Sequence, residues 1–595
     1  MSKFSHFPNW AAACLLGLGS FLAYAATLPA SLSTGDSAEL AIAVHSLGLA
    51  HPTGFPAYLL LAKLWSWLLP LGNLAWELNL FSAAAAAATV GVVFLIAKKL
   101  ELSSISSITG SLLLAAGYRF WFLTGSTHAY HLSLLLLALT LWLLLAWQRQ
   151  PRQTTLWLLA VTLSLGLGTH FLFVVITPVV VILLLTQKTA LLQTKNLLPL
   201  GLLAVVTLGL YAYIPLRAWV NPVLGWNHPT QLTEVIDYIR QKDYAYKIGL
   251  QALPAIWTRL GATGQALARE SLGSTLLLGL IGLSVAWKRN RPLVWAIISL
   301  IIANLGLVVL YGNTQDSIIL YRYLLPTFLC LSLLTAYVLE LVRPRLRPAV
   351  WVMLLLPIGI LAANAGDNTM PRTELIQNFA ENILGSIPDQ AVLVSAGDLV
   401  TVPIWYLQEV EGRGNDKIVV DANLLPVTWY ARDIARRYPE LAGTDLAEID
   451  YRERVNVFLE RAAKTRDVYM IGNFITPDGF MTVPHGLVRR LLPKAAEINL
   501  DTIILTNTQS WQRFNLNIPE KNWQIIDPLQ AELIHVYGVT LVNLGVFYAE
   551  HERNDLAAEA FEHSLKFQPD NQNVRQNLID YYTATGQPEQ AAKIQ

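Results

Sequence analysis

The sequence predicts a polytopic α-helical membrane protein of about eleven spans, ending in an extracytoplasmic α/β domain and tetratricopeptide-like helices. Three observations support this. Hydrophobic residues make up 54% of the 595 and charged ones only 14%, with 18 tryptophans, a composition that suits lipid better than water. Apolar runs long enough to cross a bilayer recur up to residue 365. Beyond that point strand-sized runs alternate with helical stretches, and a countable repeat closes the chain. The formal net charge of +1 is uninformative, and Cys14 and Cys330, each inside an apolar run, imply neither a disulfide framework nor a thiolate metal site.

The apolar runs fall near 9–28, 75–97, 105–123, 131–147, 156–185, 196–216, 272–287, 292–311, 321–342 and 348–365. The run at 156–185 is too long for one comfortable span and carries "GLGTH" in its middle. Basic residues mark cytoplasmic loops, and they cluster at Lys98–Lys99, Arg149 and Arg152, Lys188 and Lys195, Lys288 to Arg291, and Arg343 to Arg347. Only a hairpin at 156–185 keeps all five clusters on one side, which gives eleven spans, a cytoplasmic N-terminus and an extracytoplasmic segment from about 366 onward. The alternative for 9–28 is a signal peptide, since "AYA" at 23–25 resembles a cleavage site; the remaining topology is the same either way.

This map puts Asp36, Glu39, His51, His128, His131, His170, Arg217, Asp316 and Arg322 at the outer face. Polar groups beside hydrocarbon are costly and tend to line cavities. In "GDSAELAIAVHSLG" the apolar residues recur at helical spacing, so Asp36 and Glu39, three apart, share one face of a short interfacial helix. The plainer alternative is capping of that helix by Asp36 or Ser37, with Glu39 behind. "HPTGFP" then breaks the helix, and a second short amphipathic or re-entrant helix follows at 57–70. "HAYH" invites a metal site, but His128 and His131 lack a clear third ligand, and no metal is expected.

Residues 391–397, 417–422 and 467–473 read as strands between helices at 401–411, 428–438 and 449–464, a small parallel α/β layer. Asp398, Asp421 and Asn473 would lie at strand C-terminal ends, where such sheets bind ligands but where capping is the commoner role. Asn543, Leu544, Tyr548, Ala557 and Ala558 recur 34 residues later as Asn577, Leu578, Tyr582, Ala591 and Ala592. Together with "FEHSLKFQPDN" they form two tetratricopeptide-like hairpins. The expected domains are therefore 1–365, 366–530 and 531–595.

The first outer loop resembles that of the C-type glycosyltransferases (GT-C fold), membrane enzymes that take sugar from a polyprenyl-phosphate carrier. More closely, "GDSAELAIAVHSLGLAHPTGFPAYLLLAKL", "NLFSA" at 79–83, "YIPLRAWVNPVLGWNHP", "GDLVTVPIWYLQEVEG" and "LLPVTWYARDI" resemble a family of prokaryotic membrane proteins that also contains the eukaryotic transmembrane O-mannosyltransferases. The resemblance covers nearly all of residues 10–440. It implies a GT-C-like transmembrane domain in which the first-loop acid falls on Asp36, as general base toward an acceptor hydroxyl, with Glu39 beside it. The leaving phosphate needs cations, for which Arg217 and Arg322 are the candidates, with headgroup snorkelling as their plainer role. His51, His170 and Asp316 complete the expected donor-binding set. No cofactor is implied, because the lipid-linked sugar is itself the substrate. The expected partners are membrane lipid, a polyprenyl-phosphate sugar donor, an acceptor protein or glycan, and a protein at the tetratricopeptide-like segment; no nucleic acid is expected. The competing function class is a non-catalytic scaffold or transporter that presents those hairpins. Transporters carry repeats with interrupted helices at the midplane, whereas here the polar residues gather at one face.

Overall fold

The computed structural model describes residues 8–220, 222–247, 253–311, 320–346, 349–369, 374–518 and 527–594. The chain forms two compact units, Met1–Arg372 and Thr373–Gln595.

The first unit is a bundle of apolar helices. Helix α1 (Asn9–Ala25) packs along α4 (Leu74–Lys99), and in the chain the two short helices α2 (Ser37–Ser46) and α3 (Pro56–Leu68) come between them. Helix α4 has 26 residues, about 39 Å at 1.5 Å per residue, enough to cross a bilayer. Asn73 starts it by accepting hydrogen bonds from the Ala75 and Trp76 amides. Its run of alanines at 83–88 presents no bulk to α1, and a Cβ on Gly91 would come within 2.8 Å of the Ala13 carbonyl. Such small-residue contacts are how helices approach closely in lipid, where burial of apolar surface supplies no drive.

Eleven spans were expected; seven helices among the described residues are long and apolar enough to cross a membrane, or eight if one bent pair counts as a span. The shortfall has physical causes. The run at 105–123 breaks after Ser104–Ala115, because the Glu270 carboxylate accepts the Arg119 and Phe120 amides and starts a separate turn, Tyr118–Phe122. The run at 156–185 divides at Gly168–His170 into Gln153–Leu167 and Phe171–Leu185, each shorter than a full crossing. The span expected at 272–287 is the second arm of an elbow, Pro254–Glu270 and Ser274–Arg289, bent by 92°. Its first arm carries Arg259, Arg269 and Glu270, so hydropathy alone passed it by. The helix Pro528–Glu550 also satisfies the length and apolarity criteria, yet Leu541, Leu544, Phe547 and Tyr548 bury into the core of the second unit, with Phe561, Leu578 and Tyr582. It is the first of the helices that carry the 34-residue repeat.

In the second unit, β1 (Val392–Ser395), β2 (Ile418–Asp421) and β3 (Val468–Ile471) are parallel, as expected. The sheet is not wholly parallel, however. A hairpin of β4 (Phe480–His485) and β5 (Val488–Pro493) adds to β3 in antiparallel fashion, giving the order β2-β1-β3-β5-β4. Its two-residue turn is Gly486–Leu487, with Gly486 at φ +64°, the sign that a primed hairpin turn requires. Asp421 is buried and takes the Asn423 and Leu424 amides, closing the turn after β2. The helices Pro528–Glu550, Asn554–Leu565, Gln572–Ala584 and Pro588–Ile594 carry the 34-residue repeat.

Candidate active site

The site forms around the N-terminal end of α2. Gly35 precedes it at φ +74°, and a Cβ there would meet both terminal nitrogens of Arg322 at 2.8 Å. Glycine therefore serves two needs, a left-handed backbone and room for a guanidinium. Asp36 occupies the N-cap position, but its side chain makes no capping hydrogen bond. Its carboxylate lies 4.0 Å from Arg322 Nη1, at the outer limit of an ion pair. The Arg322 side chain is only 9% exposed, and its Nε is buried with no hydrogen-bond partner. A buried donor left unmade is costly. Asp36, Arg322, Thr34, Thr127, Tyr130 and Tyr321 line one cavity of about 10 Å³, room for a single water.

Burial works against the Asp36 carboxylate, but the positive groups facing it, His51 and then Arg322, hold its pKa below the usual carboxylate range. Burial pushes His128 down to about 4 and His170 to about 3. Both are neutral at physiological pH, and Arg322 supplies the permanent charge. His128 Nε2 lies 2.7 Å from the Leu123 carbonyl and its Nδ1 accepts the Tyr130 amide, which fixes the tautomer. His170 caps the Phe171–Ile176 turn through the Leu172 amide, its ring stacked on Phe55 and edge-on to Tyr130.

Glu39 is buried in the first turn of α2. It accepts the His51 amide at 2.6 Å and pairs with His51 Nδ1 at 2.8 Å. That pairing fixes the "HPTGFP" loop onto α2. Asp36, Glu39 and His51 offer ligand atoms within 4.8 Å of one another, the one such trio among the described residues. Two carboxylates and an imidazole can bind a divalent ion, and here Glu39 already takes two hydrogen bonds from His51.

The expected residues therefore divide. Asp36, Glu39, His51, His170 and Arg322 come together. Arg217 does not join them: its Nε and Nη2 donate to the Leu47 and Ser46 carbonyls at 2.5 and 3.0 Å, at the C-terminal end of α2. Asp316 lies outside the described residues. Sequence reasoning missed Thr127, Tyr130 and Arg119. Arg119 is 9% exposed, with its guanidinium 4.0 Å from the Tyr321 ring centre and 5.3 Å from that of Phe122, both in the cavity wall. The signal for it was a charge inside an apolar run, which normally marks a buried polar task.

The membrane bundle, with Asp36 at the start of its first short helix, is GT-C-like in fold. ArnT from Cupriavidus metallidurans, in a structure bound to undecaprenyl phosphate, superimposes with a TM-score of 0.50 at 13% identity, over 82% of this chain and 98% of that one. Within that kind, residues 36–193 match the family described as protein O-mannosyl-transferase TMEM260 N-terminal domain, and residues 376–508 match TMEM260-associated domain 2. The mouse protein O-mannosyl-transferase TMEM260 is 26% identical over 472 residues, 69% of this chain and 63% of the mouse protein. The Dictyostelium discoideum protein of the same name is 34% identical over 71 residues, 12% of this chain and 9% of that protein. The resemblance to the transmembrane O-mannosyltransferases is thus borne out. The chain spans somewhat under two thirds of the mouse relative's length.

Proposed function

We propose that this protein is a membrane glycosyltransferase that moves a sugar, with mannose the first candidate, from a polyprenyl-phosphate carrier to a hydroxyl of an extracytoplasmic protein or glycan. The observation that carries the reading is the pairing of Asp36, free of any capping bond, with the buried and incompletely bonded Arg322 across one cavity. Asp36 accepts the proton of the acceptor hydroxyl as its oxygen attacks the anomeric carbon. The bond to the phosphate oxygen breaks on the opposite face, with inversion. Arg322 holds the phosphate and neutralises the charge that grows on it as the sugar departs. Glu39 acts on this reaction through His51, by fixing the loop beside Asp36. The cavity admits about one water, so donor binding must widen it.

The names of the mouse and Dictyostelium relatives support an O-mannosyl transfer, and the carrier in the ArnT structure supports a polyprenyl phosphate. The five basic loops support a cell-membrane location with a cytoplasmic N-terminus and the Thr373–Gln595 unit outside. Incubating the purified protein with a panel of polyprenyl-phosphate sugars and hydroxyl acceptors tests the reaction; neither product nor donor hydrolysis with any member would refute it. Orientation is tested with Glu440→Cys in a chain lacking Cys14 and Cys330. Labelling by an impermeant reagent in intact cells is expected, whereas labelling only after permeabilisation would put Asp36 on the cytoplasmic side.

A further inference from the structure

Helix α4 carries the "NLFSA" stretch, and its first residue has no role in the reaction described above. Asn79 is fully buried, at 0% exposure, between Leu78 and Leu80 in a membrane-crossing helix. An amide there is expensive unless both its ends are bonded. Both are: Nδ2 donates to the Ser31 carbonyl at 3.0 Å, and Oδ1 accepts from the Thr127 hydroxyl at 2.8 Å. Swapping the amide nitrogen and oxygen would set oxygen against the Ser31 carbonyl, which cannot donate, so that partner fixes the orientation and leaves Oδ1 facing the Thr127 hydroxyl. The partners belong to the two outer loops that build the cavity. Ser31 lies on the first, five residues before Asp36. Thr127 lies on the second and lines the cavity itself.

We propose that Asn79 is a positioning residue for glycosyl transfer, a buried strut that joins the loop bearing Asp36 to the loop bearing Thr127 and so sets where the base stands relative to the phosphate held by Arg322. The inference rests on the function proposed above. Arg322 reaches the cavity on a separate segment that Asn79 does not touch, so loss of the strut displaces the base and leaves the phosphate clamp in place. Displacing a base by about 1 Å can cost about 10²-fold in rate without weakening binding.

The test uses the full-length protein. In Asn79→Ala, kcat per folded molecule should fall about 10²-fold, while donor KM and affinity for sugar-free polyprenyl phosphate stay within about twofold. A residue that only supports folding would lower yield and melting temperature without producing that split. Thr127→Val should show the same split more weakly, and the double variant should be no worse than Asn79→Ala alone, as for two groups in one bonded unit. Should Asn79→Ala not fold, Asn79→Asp and Thr127→Val each remove one end of the strut and are read in the same way. Hydrogen exchange gives a readout that does not need turnover: amides at 28–36 and 123–129 should speed up together in the variants. A wild type with no transferase activity would end the function proposed above while leaving this exchange test in force. Unchanged kcat, kcat and donor affinity falling in parallel, or exchange that changes in neither loop would overturn the strut.

Discussion

The two ends of α2 treat similar residues in opposite ways. At its C-terminal end and in the loop beyond, five consecutive carbonyls are all taken. Ser46 and Leu47 accept from Arg217, Gly48 from the Tyr213 hydroxyl at 2.8 Å, Leu49 from the Trp226 amide at 3.4 Å, and Ala50 from the Tyr238 hydroxyl. Arg217 there is a cation at a helix C-terminus, bonded to the carbonyls that a helix end leaves unsatisfied. At the N-terminal end the groups are held and left underused. Asp36 sits in the capping position without capping, and Arg322 is buried beside it with Nε unmatched. Satisfaction is complete at one end, and incomplete at the other, where the proposed function places the ligand. Two arginines that look alike in the sequence thus make different contacts.

That contrast is most exposed to changes at Asp36. Asp36→Asn keeps shape and should lower transfer by about 10³-fold, within the range general bases contribute, with the folded protein unharmed; assay of turnover per folded molecule decides it. Next come the Arg322 variants. Alanine should weaken donor binding and slow transfer together. Lysine should fall between alanine and wild type, since it keeps charge and loses the planar fork. If Arg322 only anchored to headgroups, lysine would restore activity almost completely.

Arg217→Ala should act on the C-terminal end of α2. A loss of about 1–3 kcal/mol in unfolding free energy is expected from two orphaned carbonyls, with most of the activity per folded molecule kept. Loss of donor affinity without loss of stability would return Arg217 to the phosphate site. The smallest effect concerns pH. The Asp36 pKa is depressed in the fold, so the stability and activity tied to its charge are present above the ordinary carboxylate pKa and are lost as pH falls through the lower, folded value. Arg322→Gln removes one of the charges that depress it and should move the acidic limb of the pH–rate profile upward. A limb that stays where it was would show that the two groups do not interact.

Much of this was legible in the sequence because it is local. The bilayer-length runs, the "GDSAE" helix start, the three parallel strands and the 34-residue repeat follow from periodicities that a chain carries along itself. Arg322 was legible as a cation at the end of a span. Arg217 was not, since its partners Leu47 and Ser46 lie 170 and 171 residues away and no local pattern records a backbone carbonyl as an acceptor. The elbow at 271–273 was hidden because its first arm is amphipathic rather than apolar. The β4–β5 hairpin was overlooked although "HG" between apolar stretches signals a tight turn, since Pro484 and the paired Arg489 and Arg490 break the hydrophobic pattern. Asn79 stands within "NLFSA", yet the strut proposed for it appears only when Ser31 and Thr127 are brought to it across 48 residues on either side.

The most direct test of the central claim measures donor affinity and turnover together for Asp36→Asn. If Asp36 is the base and Arg322 holds the phosphate, the variant binds a polyprenyl-phosphate sugar about as tightly as wild type and turns it over at least about 10²-fold more slowly. Turnover equal to wild type, or donor binding lost along with turnover, would contradict that division of labour.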